Sequence, residues 1–144
     1  ICFSGSGIIF GYSFKKELLT FLNESFYNTV DYGCFSDLSC DYSDYVPIAC
    51  KGLIETEVDL VIGSCQSGQG VNISANHQKN VISVIPMDKD SLIVARQHNC
   101  ANFLAFPSRL WKPKDAFQAF FDAYNNFYFQ GGRHSTRIQK VLGI

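Results

Sequence analysis

A single α/β domain built around a parallel, doubly wound sheet is the fold class this chain predicts, and three observations carry it. Short apolar runs alternate with helical periodicities from one end to the other, the pattern of successive β-α-β units. The apolar run Val58, Leu60, Val61 and Ile62 empties into a loop with one thiol, hydroxyls and glycines, read VIGSCQSGQGVNISAN over 61–76, which leads into a helix start. The length, 144 residues, suffices for one self-supporting core and leaves little room for a second, so residues 1–144 are read as one domain.

The elements follow in order. Ile1 to Phe3 reads as a strand that stops in the turn Ser4-Gly5-Ser6-Gly7. In SFKKELLTFLNE (13–24) Phe14, Leu18, Phe21 and Leu22 fall on one helical face, with Lys15, Lys16, Glu17 and Glu24 opposite. Thr29 to Tyr32 is a weak second strand, and Gly33 to Asp44 a long polar loop. Tyr45 to Ile54 reads as helix with Pro47 in its first turn, before the strand at 58–63 and a helix from Val71 to Asn76. Val81 to Ile85 is the next strand, and Asp88 caps a helix running to about Gln97. Phe103 to Phe106 is the last strand. Pro113 opens a helix whose stripe Phe117, Phe120, Phe121 and Tyr124 fits core or subunit contact better than a cofactor site, and Gly131-Gly132 closes it. Arg133 to Leu142 is a final short helix.

Composition narrows the function classes. Hydrophobic residues make up 47% and charged residues 17%, with 13 Phe and 7 Tyr, so we expect partner subunits to cover part of the surface. A net charge of -1 gives no electrostatic case for nucleic acid or an anionic membrane, and no apolar run approaches the ~20 residues of a bilayer span. The six cysteines form no CxxC pair and no disulfide framework, which points to a reducing compartment, the cytoplasm in the simplest case. Position 1 is not methionine, so a few further N-terminal residues are expected.

Chemistry concentrates after the strand at 58–63. Cys65 sits where α/β proteins place nucleophiles and bases, and Gly68 and Gly70 let backbone N–H groups converge on an anion. Cysteines are usually inert core residues, and Gly-rich turns occur without chemistry, so this segment alone does not fix a function.

Four segments together, DYSDY at 41–45, SCQSGQGVNISAN at 64–76, ARQHNCANFLAFPSR at 95–109 and GGRHSTRIQKV at 131–141, resemble the ribose-5-phosphate isomerase B and galactose-6-phosphate isomerase family, nearly end to end. The resemblance implies a Rossmann-like three-layer α/β/α sandwich and an aldose-ketose isomerase acting on ribose 5-phosphate or a hexose 6-phosphate through a cis-enediolate. It implies no metal or nucleotide cofactor, and homodimers or tetramers with active sites shared between subunits. By the same resemblance Cys65 is the base, and Ser67 with the amides around Gly68 and Gly70 stabilises the enediolate. His98 would open the furanose ring, Asn99 bind a sugar oxygen, and Tyr42 line the sugar pocket. Arg133, His134 and Arg137 would clamp the phosphate from the neighbouring subunit, with Arg109 adding a contact. From the placement after successive strands we expect Cys65, Ser67, His98 and Asn99 to meet in one pocket at the C-terminal edge of the sheet.

The chain departs from the family in its first loop. An Asp-His pair is absent, its place taken by Ser6-Gly7 or Ile8-Ile9 according to the alignment. Gln66, Asn72 and Cys100 also stand where the family has Gly, a small residue and Asp. Sugar hydroxyls left unpaired cost roughly 1–3 kcal/mol each, enough to shift substrate preference. Two further readings therefore stay open beside the isomerase: a structural subunit of a larger assembly, and a sugar-phosphate-binding regulator.

Overall fold

The computed structural model describes residues 2–5, 8–38 and 40–144. The Ser6-Gly7 part of the expected turn lies outside the described residues; Ser4 and Gly5 belong to the first strand, β1 (Cys2–Gly5). Helix α1 (Ile8–Glu24) starts earlier than its amphipathic stretch indicates. It buries Phe14, Leu18 and Leu22, while Phe21 stacks on Phe117 at 5.7 Å. Lys15, expected on the solvent side, is instead buried, with Nζ 2.9 Å from Asp31 and bonded to the Cys34 carbonyl. The aliphatic stem packs inward while the ammonium finds a charge and a carbonyl, which makes its burial tolerable.

Strand β2 (Val30–Asp31) is two residues long and lies within the expected segment. Helix α2 (Tyr42–Ile54) begins three residues before the expected start, so Pro47 stands in its second turn. Strand β3 (Val61–Cys65) begins later than 58; Val58 and Leu60 are buried ahead of it without joining the ladder. Helix α3 (Gln69–Asn76), strand β4 (Ser83–Val84) and helix α4 (Lys89–Val94) follow. The Asp88 side chain accepts from Ser91 N at 2.7 Å and Ser91 Oγ from Asp88 N at 3.1 Å, a capping box that fixes where α4 starts. The helix then widens into one π turn, Ala95–Asn99. Strand β5 (Phe103–Pro107) and helix α5 (Pro113–Asn126) come next. Helix α5 ends five residues before Gly131-Gly132, and 127–132 cross to α6 (Arg133–Leu142), which has the expected bounds.

All strand pairings are parallel, in the order β2-β1-β3-β5-β4. The central strands β3 and β5 are buried on both faces, as a covered parallel sheet requires. On one face Ile62, Leu104 and Phe106 meet Phe14, Leu18 and Leu22 of α1, Leu92 of α4 and Ala116, Ala119, Phe120 and Ala123 of α5. On the other, Val61, Cys65, Phe103 and Ala105 meet Val46, Ala49 and Cys50 of α2 and Val71 and Ala75 of α3. The three-layer sandwich is thus built by alternation along two strands. Of the aromatic stripe on α5, Phe120 is core, Phe117 and Tyr124 are half-buried, and Phe121 is exposed. Among the described residues no helix is long and apolar enough to cross a membrane.

Candidate active site

The C-terminal edge of the sheet gathers the first group of candidate residues. Cys65 ends β3 as a buried free thiol on the α2–α3 face. Its carbonyl accepts from Ser108 N at 2.9 Å and the Gln66 carbonyl from Arg109 N at 3.2 Å, so the turn after β5 is tied to the loop after β3. Gly68 caps α3 at φ 74°, and a Cβ there would come 2.8 Å from the Ala105 carbonyl oxygen; the left-handed turn and the close backbone approach both require glycine. Ser67 Oγ accepts from Gln69 N at 3.2 Å, taking one first-turn amide at the start of α3. A Cβ on Gly70 would lie 2.5 Å from the Tyr42 ring, so the tyrosine at the start of α2 rests on the glycine loop. A thiol, a hydroxyl and the amides of a helix start therefore share one edge beneath an aromatic wall, a combination able to remove a proton and hold an oxyanion. Arg109 is on this edge too, at a cavity of about 300 Å3 that it lines with Gln66, Trp111 and Lys112.

The second group lies at the opposite edge. His98 and Asn99 close the π turn and precede β5, so they sit where strands begin. Helix α5 runs back along the sheet, and the segment after it is stitched to the π turn: Gln130 N donates to the Gln97 carbonyl at 2.9 Å and Arg96 Nε to the Phe127 carbonyl at 3.2 Å. This places the start of α6 beside His98. The His98 and His134 rings stack with centroids 4.2 Å apart and planes 5° from parallel. His134 is buried, whereas Arg133 and Arg137 are exposed at the helix start. Burial first, then His98, Arg133 and Arg137, holds the His134 proton affinity below the usual imidazole range. Neither arginine has a carboxylate partner among the described residues. Two guanidiniums one turn apart at the positive end of a helix dipole form a site for an anion.

The expected convergence of Cys65 and Ser67 with His98 and Asn99 is therefore corrected. Phe103 pairs with Val61 and Pro107 with Cys65, so the row from which His98 departs and the row that holds Cys65 are four residues apart, about 13 Å of strand. The switch-point rule applies to residues that follow strands, and His98 follows a helix instead. Its position was readable: a residue between a helix and the next parallel strand belongs to the N-terminal edge. One chain carries two separate clusters, a thiol, a hydroxyl and helix-start amides at one end, two imidazoles and two guanidiniums at the other. The stacking of His134 on His98 was not anticipated, since contacts between a π turn and a later helix leave no local signal. Among the described residues no three His, Cys, Asp or Glu side chains gather as metal ligands.

Comparison with known proteins bears on both ends of the molecule. The pattern of the family Ribose/Galactose Isomerase matches residues 9–141. Ribose-5-phosphate isomerase B of Escherichia coli is 31% identical over 134 residues, 93% of this chain and 89% of that protein. Ribose-5-phosphate isomerase B of Clostridium thermocellum superimposes with a TM-score of 0.90 at 29% identity, covering 99% of this chain and 96% of that one. The enzyme of Mycoplasma genitalium, solved with bound ribulose 5-phosphate, superimposes with a TM-score of 0.88 at 30% identity, covering 99% and 93%.

Proposed function

This chain belongs to the ribose/galactose isomerase family, and from that premise we propose that it interconverts aldose and ketose forms of a phosphorylated sugar, ribose 5-phosphate first, at a site completed by two copies of the chain. The partition of half-sites carries the reading. A base without an acid and an anion cradle without a base have little use apart, and a second copy that brings its His98 edge to the Cys65 edge of the first supplies the missing half of each. Ile48 of α2 and Ile73 of α3, helices that start at the Cys65 edge, are 53% and 57% exposed, and Val141 of α6 is 74% exposed, which fits covered surface in such an assembly.

The chemistry assigns a role to each residue. The phosphate binds between Arg133 and Arg137 by charge-assisted hydrogen bonds, assisted by Arg109. His98 protonates the ring oxygen to open the furanose, with Asn99 holding a sugar hydroxyl. The Cys65 thiolate takes the proton from C2 of the open aldose and returns it at C1, while Ser67 Oγ and the amides at Gly68 and Gly70 hold the enediolate oxygens. Tyr42 closes one wall of the sugar pocket.

Purified protein is expected to convert ribose 5-phosphate, or one member of a hexose 6-phosphate panel, and to sediment as a dimer or larger. Absence of solvent deuterium at C2 of every sugar phosphate tried would remove the isomerase. The missing Asp-His pair in 6–9 favours, in that event, the regulator if sugar phosphate still binds and the structural subunit if it does not.

A further inference from the structure

Sequence makes His134 look like a third cation beside Arg133 and Arg137, but its surroundings differ from theirs. The two arginines are exposed, while His134 is 7% exposed and lies face to face with His98, centroids 4.2 Å apart and planes 5° from parallel. Its backbone N–H donates to the Gly131 carbonyl at 3.1 Å, which anchors it at the start of α6. The partner ring stands in a π turn, where one extra residue per turn redirects the side chains that follow. The turn closes at Cys100 with φ 51°, and its Gln97 carbonyl and Arg96 guanidinium are both bonded to the segment that leads into α6. The π turn and the start of α6 thus form one stitched unit with the imidazole pair inside it.

The charged groups facing His134 are all basic: His98 from the π turn and Arg133 and Arg137 from its own helix. On the π turn, Arg96 is engaged over the Tyr124 ring at 4.7 Å. Burial and this positive field together disfavour the protonated ring of His134, which lies flat against His98 as a plate rather than reaching out as a clamp for an anion. His98 can leave its plane only by breaking the stack.

We propose that His134 is a positioning residue, whose buried ring fixes the plane in which His98 presents its nitrogen to the sugar of the facing copy. The proposal rests on the reading of His98 as the ring-opening group and changes the role of His134 from phosphate ligand to orienting plate. Proton transfer needs its donor aligned to within a fraction of an ångström and about 10–20°, a tolerance that a side chain on a surface turn does not meet unaided.

The test compares wild type, His134→Phe and His134→Ala by the proton NMR signal of His98 Cε1–H and by kcat and KM for ribose 5-phosphate. In wild type the stacked ring is expected to move the His98 signal upfield. His134→Phe, which keeps a flat ring, is expected to retain that shift and a kcat within about threefold of wild type. His134→Ala is expected to lose the shift and roughly ten- to hundredfold in kcat, with KM within about threefold because both arginines remain. A rise in KM with unchanged kcat in both variants would make His134 a phosphate ligand and overturn the proposal. So would equal kcat loss in Phe and Ala, or a His98 signal that does not respond to Ala. If either variant fails to fold, the nuclear Overhauser contact between the two rings in wild type decides: its presence supports the stack, its absence refutes it. A wild-type protein with the stack and no turnover of any sugar phosphate contradicts the isomerase reading, and is distinct from a turning-over protein without the stack, which contradicts this one.

Discussion

In the proposed mechanism Cys65 and Arg137 serve different stages of one reaction, and their variants should fail differently. Cys65→Ala removes a proton-transfer group, so turnover should vanish while sugar-phosphate binding stays within about tenfold. Arg137→Ala removes a charge-assisted contact of about 1.5–3 kcal/mol, so every phosphorylated sugar should bind more weakly. The remaining binding should also fall less steeply with salt than in wild type, because one screened attraction is gone. Solvent exchange at C2 followed by NMR, with calorimetric binding, separates the two. His134 makes a pH prediction. Its proton affinity in the fold lies below the ordinary value of about 6.5, so the unfolded chain binds the proton more readily. Its stabilising part is complete above that value and is lost as pH falls through the lower folded one. His134→Phe should therefore flatten the fall in melting temperature as the pH drops below about 6.5. Residue placement was legible in the sequence where a motif carried it, as for Cys65 at a strand end, Ser67 before the start of α3 and the arginines on one helix. It was not legible where burial decides: Lys15 reads as a solvent-side charge because its partner, Asp31, arrives from the next strand.

The start of α3 shows how a short element can set a site, and its two glycines should respond differently to a methyl group. At Gly68 the backbone has φ 74° and a Cβ meets the fixed carbonyl of Ala105, so Gly68→Ala should lower stability by about 1–3 kcal/mol in chemical denaturation. At Gly70 the obstacle is the ring of Tyr42, a side chain 36% exposed and free to swing out. Gly70→Ala should therefore fold with nearly wild-type stability and raise KM, since the aromatic wall moves; an intact KM would show that Tyr42 does not line the sugar pocket. Helix and strand order was readable because the periodicities alternate cleanly, and the Asp88 cap and the α6 bounds were legible from local residue types. Pairing decided the rest. Val58 looks like strand but lies ahead of the ladder, because β3 takes its register from Phe103 to Pro107 on β5. The π turn at 95–99 has no sequence signature, and it is the feature that turns His98 toward α6.

At the scale of the whole molecule, Cys65 stands at the strand ends and His98 at the strand starts, and the proposed function makes them halves of different sites. Two such chains make two complete sites if each lends its imidazole end to the thiol end of the other, and a closed, isologous pair does this twice. Mixing inactive variants tests that claim most directly. Cys65→Ala and His98→Ala are each expected to be inactive alone as assembled protein. Unfolded and refolded together in equal amounts, they should recover about a quarter of wild-type activity, since random pairing makes half the pairs hybrid and each hybrid restores one intact site of two. If sites were built within one chain, the mixture would remain as inactive as its parts, and an unrecovered mixture of properly assembled variants would contradict the shared site.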